Sequence, residues 1–349
     1  MVIADDALPA DTAWRLACEG TALLWRGDYQ NARQLLSAIA RRIDRKPLKL
    51  PAGADASTRF HLYRQAQAQR ARTLGMLLVT LDAQYQLALR RAPEVAAACT
   101  AAWGAEGGAC VVSLRELLGV VGAHQWRLKG VAVAALGARI HPHYGVFSPV
   151  RGEYVELVAR APLPADTALA VDVGTGSGAI ALAIASELPA ATVLGSDTSA
   201  GALEVAADNA ERCGLRDRVR LVRDDLLGAL VRKRAQVDIV VSNPPYIATT
   251  ERGIMDRDVL EHEPHEALFA GHDGLDVIRR LLPQAQKVLV PGGLLLVEFG
   301  AAQGEAVRSL AAQHFERVAI AKDLAGHDRV LIARAAGRHE VLDAQPAVP

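Results

Sequence analysis

The feature that most constrains the fold is a regular alternation of short apolar runs and helical patterns between residues 168 and about 335. Apolar runs at Ala168–Val173, Thr192–Ser196, Val219–Val222 and Asp238–Ser242 are each followed by a helical pattern or a loop. Parallel strands need long crossover connections, which helices usually provide, so this alternation predicts a mostly parallel sheet with helices on both faces. The other predicted elements are helices at Ala179–Leu188, Ala200–Cys213, Leu275–Leu289 and Gly304–His314, and strands at Leu294–Phe299, Arg317–Lys322 and Arg329–Ala333.

A glycine-rich loop joins the first predicted strand to the first helix of this region. Residues 171–178 read VDVGTGSG, and glycines let a backbone turn sharply and approach a ligand closely. Asp197 ends the next strand, where a carboxylate can accept hydrogen bonds from both ribose hydroxyls of an adenosine. Asp225 follows the third strand and is placed to face the adenine edge. The pattern therefore predicts a nucleotide-type cofactor.

The glycine spacing leaves more than one interpretation open. Gly174, Gly176 and Ala179 satisfy the dinucleotide fingerprint, so NAD is an alternative, and a structural glycine turn is another. Asp172 lies two residues before the first glycine, where an acid can meet the ammonium group of S-adenosylmethionine. That cofactor has no pyrophosphate to hold, and the spacing favours it over NAD.

A second motif, Asn243-Pro244-Pro245-Tyr246, follows the fourth strand of this region. Proline cannot continue a central strand, and it fixes φ, so the neighbouring carbonyls are held in place. The side-chain oxygen of Asn243 and the carbonyl of Pro244 can accept both N–H groups of a planar amide or amine nitrogen. They would orient the nitrogen toward a methyl group and stabilise its developing positive charge, while Tyr246 stacks on the planar group. The alternative is a structural Pro-Pro turn.

Residues 168–335 resemble the HemK-like family, the protein-glutamine N-methyltransferases that modify the GGQ motif of peptide chain release factors. Beyond the two motifs, the resemblance extends through Glu261–Pro264, Ala267-Leu268, Gly271, Asp273–Leu275, Pro291–Gly293, Glu298, Gly304–Val307 and Asp323–Arg329. It implies a Rossmann-like class I methyltransferase domain, an α/β fold with seven strands of which the last pair is antiparallel.

The resemblance also implies S-adenosylmethionine as the cofactor and assigns roles to individual residues. The cofactor-binding residues that it implies are Asp172, Gly174, Thr175, Gly176, Gly178, Asp197, Asp225 and Asn243. The catalytic residues that it implies are Asn243, Pro244, Pro245 and Tyr246.

The first 136 residues diverge from the family, and their periodicity predicts an all-α domain. We expect this domain to recognise the substrate. A long helix is expected between Thr58 and Arg91, because leucines recur there at helical spacing. A β-hairpin linker is predicted at 137–150, the methyltransferase domain at 151–336, and a disordered tail at 337–349.

Four residues are predicted to contact the substrate. Family members carry a Pro- and acid-containing segment after the hairpin, and residues 147–154 keep Pro149 and an acid, Glu153, at that place. Phe147 precedes them, and Glu263 could order a loop over the crevice. The substrate residues expected are therefore Phe147, Pro149, Glu153 and Glu263.

Charge and composition restrict the partners. The net charge is zero, but residues 1–150 hold 18 Lys/Arg and 11 Asp/Glu, a balance of +7, and the rest of the chain carries −7. The basic half would suit an acidic or RNA-bearing partner. The longest uncharged run, Val173–Ser186, is shorter than the ~20 residues of a spanning helix, so no membrane association is expected. The four cysteines lack metal-ligand spacing, which predicts no metal and a reduced, cytoplasmic setting.

These observations predict an S-adenosylmethionine-dependent N-methyltransferase, with a protein glutamine amide as the first choice of acceptor and a translation release factor as a candidate partner. Methylation of an exocyclic base amine in RNA or DNA, or of a small-molecule amine or amide, is the alternative. A non-catalytic scaffold that binds the cofactor is a remote third.

Overall fold

The computed structural model describes residues 1–45, 48, 51, 53, 56–105, 107–146, 153–159, 161–249 and 270–337. These residues divide into two compact units. One holds Met1–Gly130 with Pro142–Gly145, and the other holds Val131–His141 and nearly all of the described chain from residue 153 onward.

The N-terminal unit is not all-helical, and the all-α prediction was wrong. Its described elements are β1 (Val2–Ala4), α1 (Ala10–Cys18), β2 (Leu23–Trp25), α2 (Tyr29–Asp44), α3 (Ala56–Leu74), β3 (Leu77–Leu81), α4 (Ala96–Trp103), β4 (Cys110–Ser113) and α5 (Leu114–Lys129). The four strands form a sheet in the order β1-β2-β3-β4, in which only β4 is antiparallel to its neighbour.

The long helix predicted between Thr58 and Arg91 ends instead at Leu74, and β3 follows. Gly75 breaks the helix, and Leu77–Leu81 alternates between buried and partly buried positions, as a strand does. Leucine is a strong helix former, and strands of three to five apolar residues give too short a pattern to outweigh it. Burial within the sheet decided the conformation.

A β-hairpin is present at residues 131–140 rather than at the predicted 137–150, and it shares only its second strand with the predicted range. Strands β5 (Val131–Val133) and β6 (Ala138–Ile140) pair antiparallel around a 3-10 turn at Ala134–Leu136. Gly137 closes the turn with a left-handed φ of 61°. The Ala- and Val-rich sequence of this segment hid the hairpin, because it fits a helix as well as a strand.

The C-terminal unit is built on the predicted α/β sheet. Its described elements are α6 (Glu153–Ala159), β7 (Leu169–Val173), α7 (Ala179–Glu187), β8 (Thr192–Asp197), α8 (Ala200–Arg212), β9 (Val219–Arg223), α9 (Gly228–Lys233), β10 (Val237–Ser242), α10 (Asp276–Val288), β11 (Leu289–Glu298), α11 (Gly304–Ala311), β12 (Arg317–Lys322) and β13 (Asp328–Arg334).

Seven described strands form one sheet in the order β12-β13-β11-β10-β7-β8-β9. All neighbours are parallel except β13, which runs antiparallel to both β11 and β12. The Rossmann-like prediction, including its final antiparallel pair, is confirmed. The strand order reverses direction between β7 and β10, and in open α/β sheets ligands bind at such a switch point, outside the carboxyl ends of the strands.

Apolar cores cover both faces of this sheet. One consists of α6, α7 and the hairpin packed on alternate residues such as Ile239, Val241 and Leu296. The other packs α10 and α11 on residues of the opposite face, such as Val240 and Leu295. None of the described helices is both long and apolar enough to cross a membrane.

Candidate active site

The two sequence motifs begin side by side at the carboxyl edge of the sheet. Ser242 pairs with Val173, and Val173 pairs with Ser196, so the residues that follow these three strands leave the sheet at one level. The Ser242 hydroxyl donates to the Val173 carbonyl at 2.8 Å and ties the two strand ends together. The glycine loop and Asn243 are therefore neighbours, as the sequence predicted.

Four of the five backbone amides of residues 174–178, those of Gly174, Thr175, Gly176 and Gly178, already donate hydrogen bonds within the described part of the protein. The amides of Gly174 and Thr175 both donate to the Ser196 carbonyl, at 2.8 and 2.9 Å, and the Gly176 amide donates to Asp197 Oδ2 at 3.0 Å. A dinucleotide loop needs free amides of this kind for the pyrophosphate. The loop thus fits a cofactor that lacks a pyrophosphate better than it fits NAD.

The loop also leaves space beside its first two glycines. Gly174 and Gly176 have left-handed φ values of 71° and 54°, and no atom lies within 4 Å of where their Cβ atoms would be. Gly178 has a φ of 83° and contacts Ala206 of α8, so its role is close packing. A side chain at Gly174 or Gly176 would strain the backbone and project into the open side of the loop.

Asp172 is fully buried beneath the loop. Its Oδ2 accepts from the Thr175 hydroxyl at 2.7 Å and from the Ala181 amide in the first turn of α7 at 3.0 Å. Its Oδ1 has no hydrogen-bond partner among the described residues. Burial raises the pKa of Asp172 to about 7, against the lowering effect of these hydrogen bonds. A cationic group at Oδ1 would offset the cost of ionisation, so this carboxylate fits the ammonium of S-adenosylmethionine.

The other two predicted cofactor acids differ in their surroundings. Asp197 is partly buried, and its oxygens accept from the amides of Gly176 and, at 2.9 Å, Ser199. Each oxygen keeps a lone pair for a further donor, such as a ribose hydroxyl. Asp225 is more than half exposed and pairs with Arg280 of α10, an ion pair that the sequence did not predict.

The Asn-Pro-Pro-Tyr segment leaves β10 with Pro244 buried and its three neighbours partly buried. Gln303 Nε2 donates to the Tyr246 carbonyl at 3.0 Å. The next carbonyl, of Ile247, accepts from the Ala270 amide at 2.9 Å. The sequence analysis missed Gln303, because one polar residue shortly after a strand carries no recognisable pattern.

Glu298 is a second residue to which the sequence analysis gave no role. It ends β11 directly after Val297, the partner of Ser242, so it lies next to Asn243 in the register. Glu298 is only 8% exposed, and its Oε2 has no hydrogen-bond partner within the described part of the chain. Burial raises its pKa to about 7, and Arg329 opposes that shift. The resemblance includes Glu298 without assigning it a role, and an acid at the end of an otherwise apolar strand is the signal that could have suggested one.

Glu298→Gln should stabilise the protein at alkaline pH. The pKa of Glu298 is raised from 4.5 to about 7 in the folded protein. The contribution of Glu298 to the free energy of unfolding is therefore most favourable below pH 4.5, and it is lost as the pH rises through about 7. The substitution should raise the free energy of unfolding by about 1–3 kcal/mol near pH 8 and by much less near pH 5. Urea unfolding at the two pH values measures this, with the exposed Glu204→Gln as the control. An equal effect at both pH values would contradict the raised pKa.

Three of the four predicted substrate residues, Phe147, Pro149 and Glu263, lie outside the described residues. Glu153 begins α6, but its side chain is also outside the description. Their roles stay predictions. No group of three or more His, Cys, Asp or Glu side chains that could hold a metal ion is found among the described residues.

Comparison with known proteins identifies the C-terminal part of the chain. Residues 137–263 match the family model of the methyltransferase small domain. The matched segment is just over a third of the chain and is similar to a methyltransferase domain. The match begins at the hairpin and includes the glycine loop and Asn243–Tyr246, so both motifs belong to the domain.

Relatives called release factor glutamine methyltransferase are similar to this chain over about half its length. The one from Thermosynechococcus vestitus is 46% identical over 166 residues, 47% of this chain and 57% of that protein. The one from Cereibacter sphaeroides is 43% identical over 180 residues, 51% of this chain and 64% of that protein. A solved methyltransferase from Pyrococcus furiosus is 19% identical, with a TM-score of 0.45 over 62% of this chain and 98% of that one.

The resemblance to the HemK-like family is confirmed by these relatives. The chain covers less than two thirds of the length of either curated relative. The methyltransferase domain is therefore shared with them, and the family model leaves residues 1–136 unmatched.

Proposed function

We propose that this protein is an S-adenosylmethionine-dependent N-methyltransferase whose acceptor is the side-chain amide of a protein glutamine. The observation that carries the proposal is the placement of Asn243 and Pro244 directly beside the glycine loop, at the ends of β10 and β7. The relatives support this choice of acceptor, since their name is release factor glutamine methyltransferase.

The cofactor site in this proposal is built from the loop and the two acids beside it. Asp197 accepts hydrogen bonds from the ribose hydroxyls. Asp172 faces the ammonium group through Oδ1, which has no partner among the described residues. Gly174, Thr175, Gly176 and Gly178 shape the cradle, and Asp225 borders the adenine. The remaining contact is with Asn243, where the cofactor site meets the acceptor site.

Asn243, Pro244, Pro245 and Tyr246 act on the acceptor nitrogen. S-adenosylmethionine, when bound, supplies an electrophilic methyl group. Amide nitrogen is a poor nucleophile, so the Asn243 side-chain oxygen and the Pro244 carbonyl accept its two N–H groups and stabilise positive charge as it develops. Pro245 fixes the backbone after the acceptor carbonyl, and Tyr246 stacks on the planar amide. Holding the nitrogen in line with the methyl group supplies much of the remaining rate increase. As the carbon–nitrogen bond forms, the methyl–sulfur bond would break and S-adenosylhomocysteine would leave, and the nitrogen would lose one proton to solvent after the transfer.

The second candidate acceptor is an exocyclic base amine in RNA. It is favoured by the basic balance of residues 1–150 and by α2, which exposes Arg33 and Arg41 on one face of the helix, eight residues apart. Such arginines suit a phosphate backbone, and binding through them would weaken steeply as salt rises. A purified-RNA acceptor whose labelling falls steeply with salt would favour this candidate over the first.

Transfer of labelled methyl groups from the cofactor to macromolecules of a cell extract tests the proposal. We expect a labelled protein that protease removes and RNase leaves intact, and labelling of a purified release factor that is lost when the glutamine of its GGQ motif is replaced. Loss of the label with RNase would contradict the protein acceptor. Failure of the cofactor to bind in calorimetry would contradict the enzyme itself, and binding without any transfer would favour a scaffold.

The proposal extends to the location of the protein, to catalysis without a metal, and to the contacts with the substrate. A release factor as partner places the protein in the cytoplasm, and the lack of metal-ligand spacing among the cysteines supports catalysis without a metal. Phe147, Pro149, Glu153 and Glu263 are proposed to contact the protein substrate. Pro149 and Glu153 are the proline and the acid kept from the family's substrate segment, Phe147 precedes them, and Glu263 would order the loop over the crevice.

A further inference from the structure

Gln303 connects three loops next to the Asn-Pro-Pro-Tyr segment. It lies between β11 and α11, and its Oε1 accepts from the Gly300 amide at 2.9 Å. Its Nε2 donates to the Tyr246 carbonyl at 3.0 Å and to the Asp273 carbonyl at 3.2 Å, with the Gly274 carbonyl at 3.4 Å. One amide thus joins the loop after β10, the loop before α10 and the loop after β11.

The surrounding glycines make this close approach possible. A Cβ on Gly274, which has a φ of 77°, would lie 2.2 Å from the Tyr246 carbonyl oxygen and 2.8 Å from Gln303 Nε2. A Cβ on Gly300 would lie 3.0 Å from Gln303 Oε1 and 3.4 Å from the Tyr246 ring. The Tyr246 ring therefore packs against the same loop that Gln303 holds, and neither glycine has room for a side chain.

The Pro-Pro sequence explains why this segment needs an outside donor. Pro244 and Pro245 have no N–H groups, so the segment cannot be fixed through its own donors at these positions. Proline fixes φ, and Pro245 also restricts the ψ of Pro244, but the ψ of Pro245, and with it the position of Tyr246, is not fixed in this way. The next two carbonyls supply restraints instead. The Tyr246 carbonyl accepts a hydrogen bond from Gln303, and the Ile247 carbonyl accepts one from the Ala270 amide.

We infer that Gln303 is a positioning residue for methyl transfer, acting through Tyr246. Its amide fixes the carbonyl end of the Asn243–Tyr246 segment, and this holds the Tyr246 ring, and the backbone that follows the Pro244 carbonyl, in place beside the acceptor. The expected effect on kcat rests on the proposed function. The hydrogen bond by which Gln303 restrains Tyr246 does not, because it belongs to the fold.

Gln303→Glu is the variant that tests this role. Glutamate keeps the size of the side chain and an acceptor for the Gly300 amide, but it has no N–H group for the three carbonyls. We expect kcat to fall by about 10- to 100-fold, as for other small misplacements of reacting groups, with cofactor Kd changed by less than about twofold. Gln313→Glu, on an exposed residue, makes the same chemical change away from the site and should leave kcat unchanged.

Hydrogen exchange gives a readout that does not depend on activity. In Gln303→Glu the amides of residues 246–248 should exchange faster, and those of β7 should keep their protection. If the wild-type protein transfers no methyl group, the proposed function fails, while faster exchange confined to 246–248 still supports the restraint. Unchanged exchange with kcat within twofold of wild type would overturn the inference. Faster exchange across the whole sheet would also overturn it, because Gln303 would then serve only stability.

Discussion

Asn243→Ala should lower the rate of methyl transfer by about 100- to 1,000-fold, as expected for removal of one oriented polar group that stabilises developing charge. Asn243 follows Ser242, which is tied to Val173 at the start of the glycine loop, so the strand end and the loop keep their positions without the side chain. What is lost is the acceptor for one N–H of the substrate nitrogen. Asn243 is only one of the proposed cofactor contacts, so the affinity for the cofactor should fall by much less than kcat does. Calorimetry measures the affinity, and initial-rate assays measure kcat.

Asn243→Asp is the matched control for this variant. Aspartate keeps an acceptor oxygen at the same place, so its activity should exceed that of the alanine variant although its charge differs. Activity of Asn243→Ala within tenfold of wild type would exclude the proposed role of the side chain. Equal activity of the two variants would show that the acceptor oxygen is unimportant.

Asp197→Ala should weaken cofactor binding by about 100-fold or more, since hydrogen bonds to a charged group contribute about 1.5–3 kcal/mol each. Its two oxygens accept from the amides of Gly176 and Ser199, so the carboxylate both binds the ribose in our proposal and fixes the loop. The substitution removes both functions. Cofactor titration by calorimetry measures the affinity.

Asp208→Ala provides the comparison, because Asp208 is exposed on the neighbouring helix α8. It should leave the affinity unchanged. An Asp197→Ala protein that binds the cofactor within threefold of wild type would contradict the assignment of Asp197. The cofactor affinity of Asp197→Asn should lie between those of Asp197→Ala and the wild type, because asparagine keeps one neutral acceptor oxygen.

The C-terminal unit was predictable because its sequence signals are local and agree with one another. Its buried parallel strands appear as continuous apolar runs, and the glycine loop and Asn243–Tyr246 each follow such a run directly. Once the sheet was predicted to be parallel, the carboxyl ends of its strands had to share one edge. The proximity of the two motifs followed from topology without any side-chain coordinates.

The N-terminal unit was not predictable in the same way. Its strands β1 and β2 have three residues each, and leucine-rich β3 has a composition that also suits a helix. Only pairing among strands that are distant in sequence decides the conformation of such segments. Asp28 illustrates the point: fully buried, it caps α2 and pairs with Arg90 and Arg91, more than 60 residues away.

The sequence by itself determined the α/β class of the C-terminal unit, the glycine loop and the Asn-Pro-Pro-Tyr segment, because these depend on local patterns and on the fixed order of strands. Only the tertiary structure decided which polar groups are hydrogen-bonded within the protein and which remain available to a ligand. It showed that four of the five amides of residues 174–178 are hydrogen-bonded, and that Gln303 binds the Tyr246 carbonyl. It also showed that Asp172 and Glu298 each keep a buried oxygen without a described partner. Hydrogen-bond satisfaction depends on atoms far apart in the chain, and no local pattern encodes it.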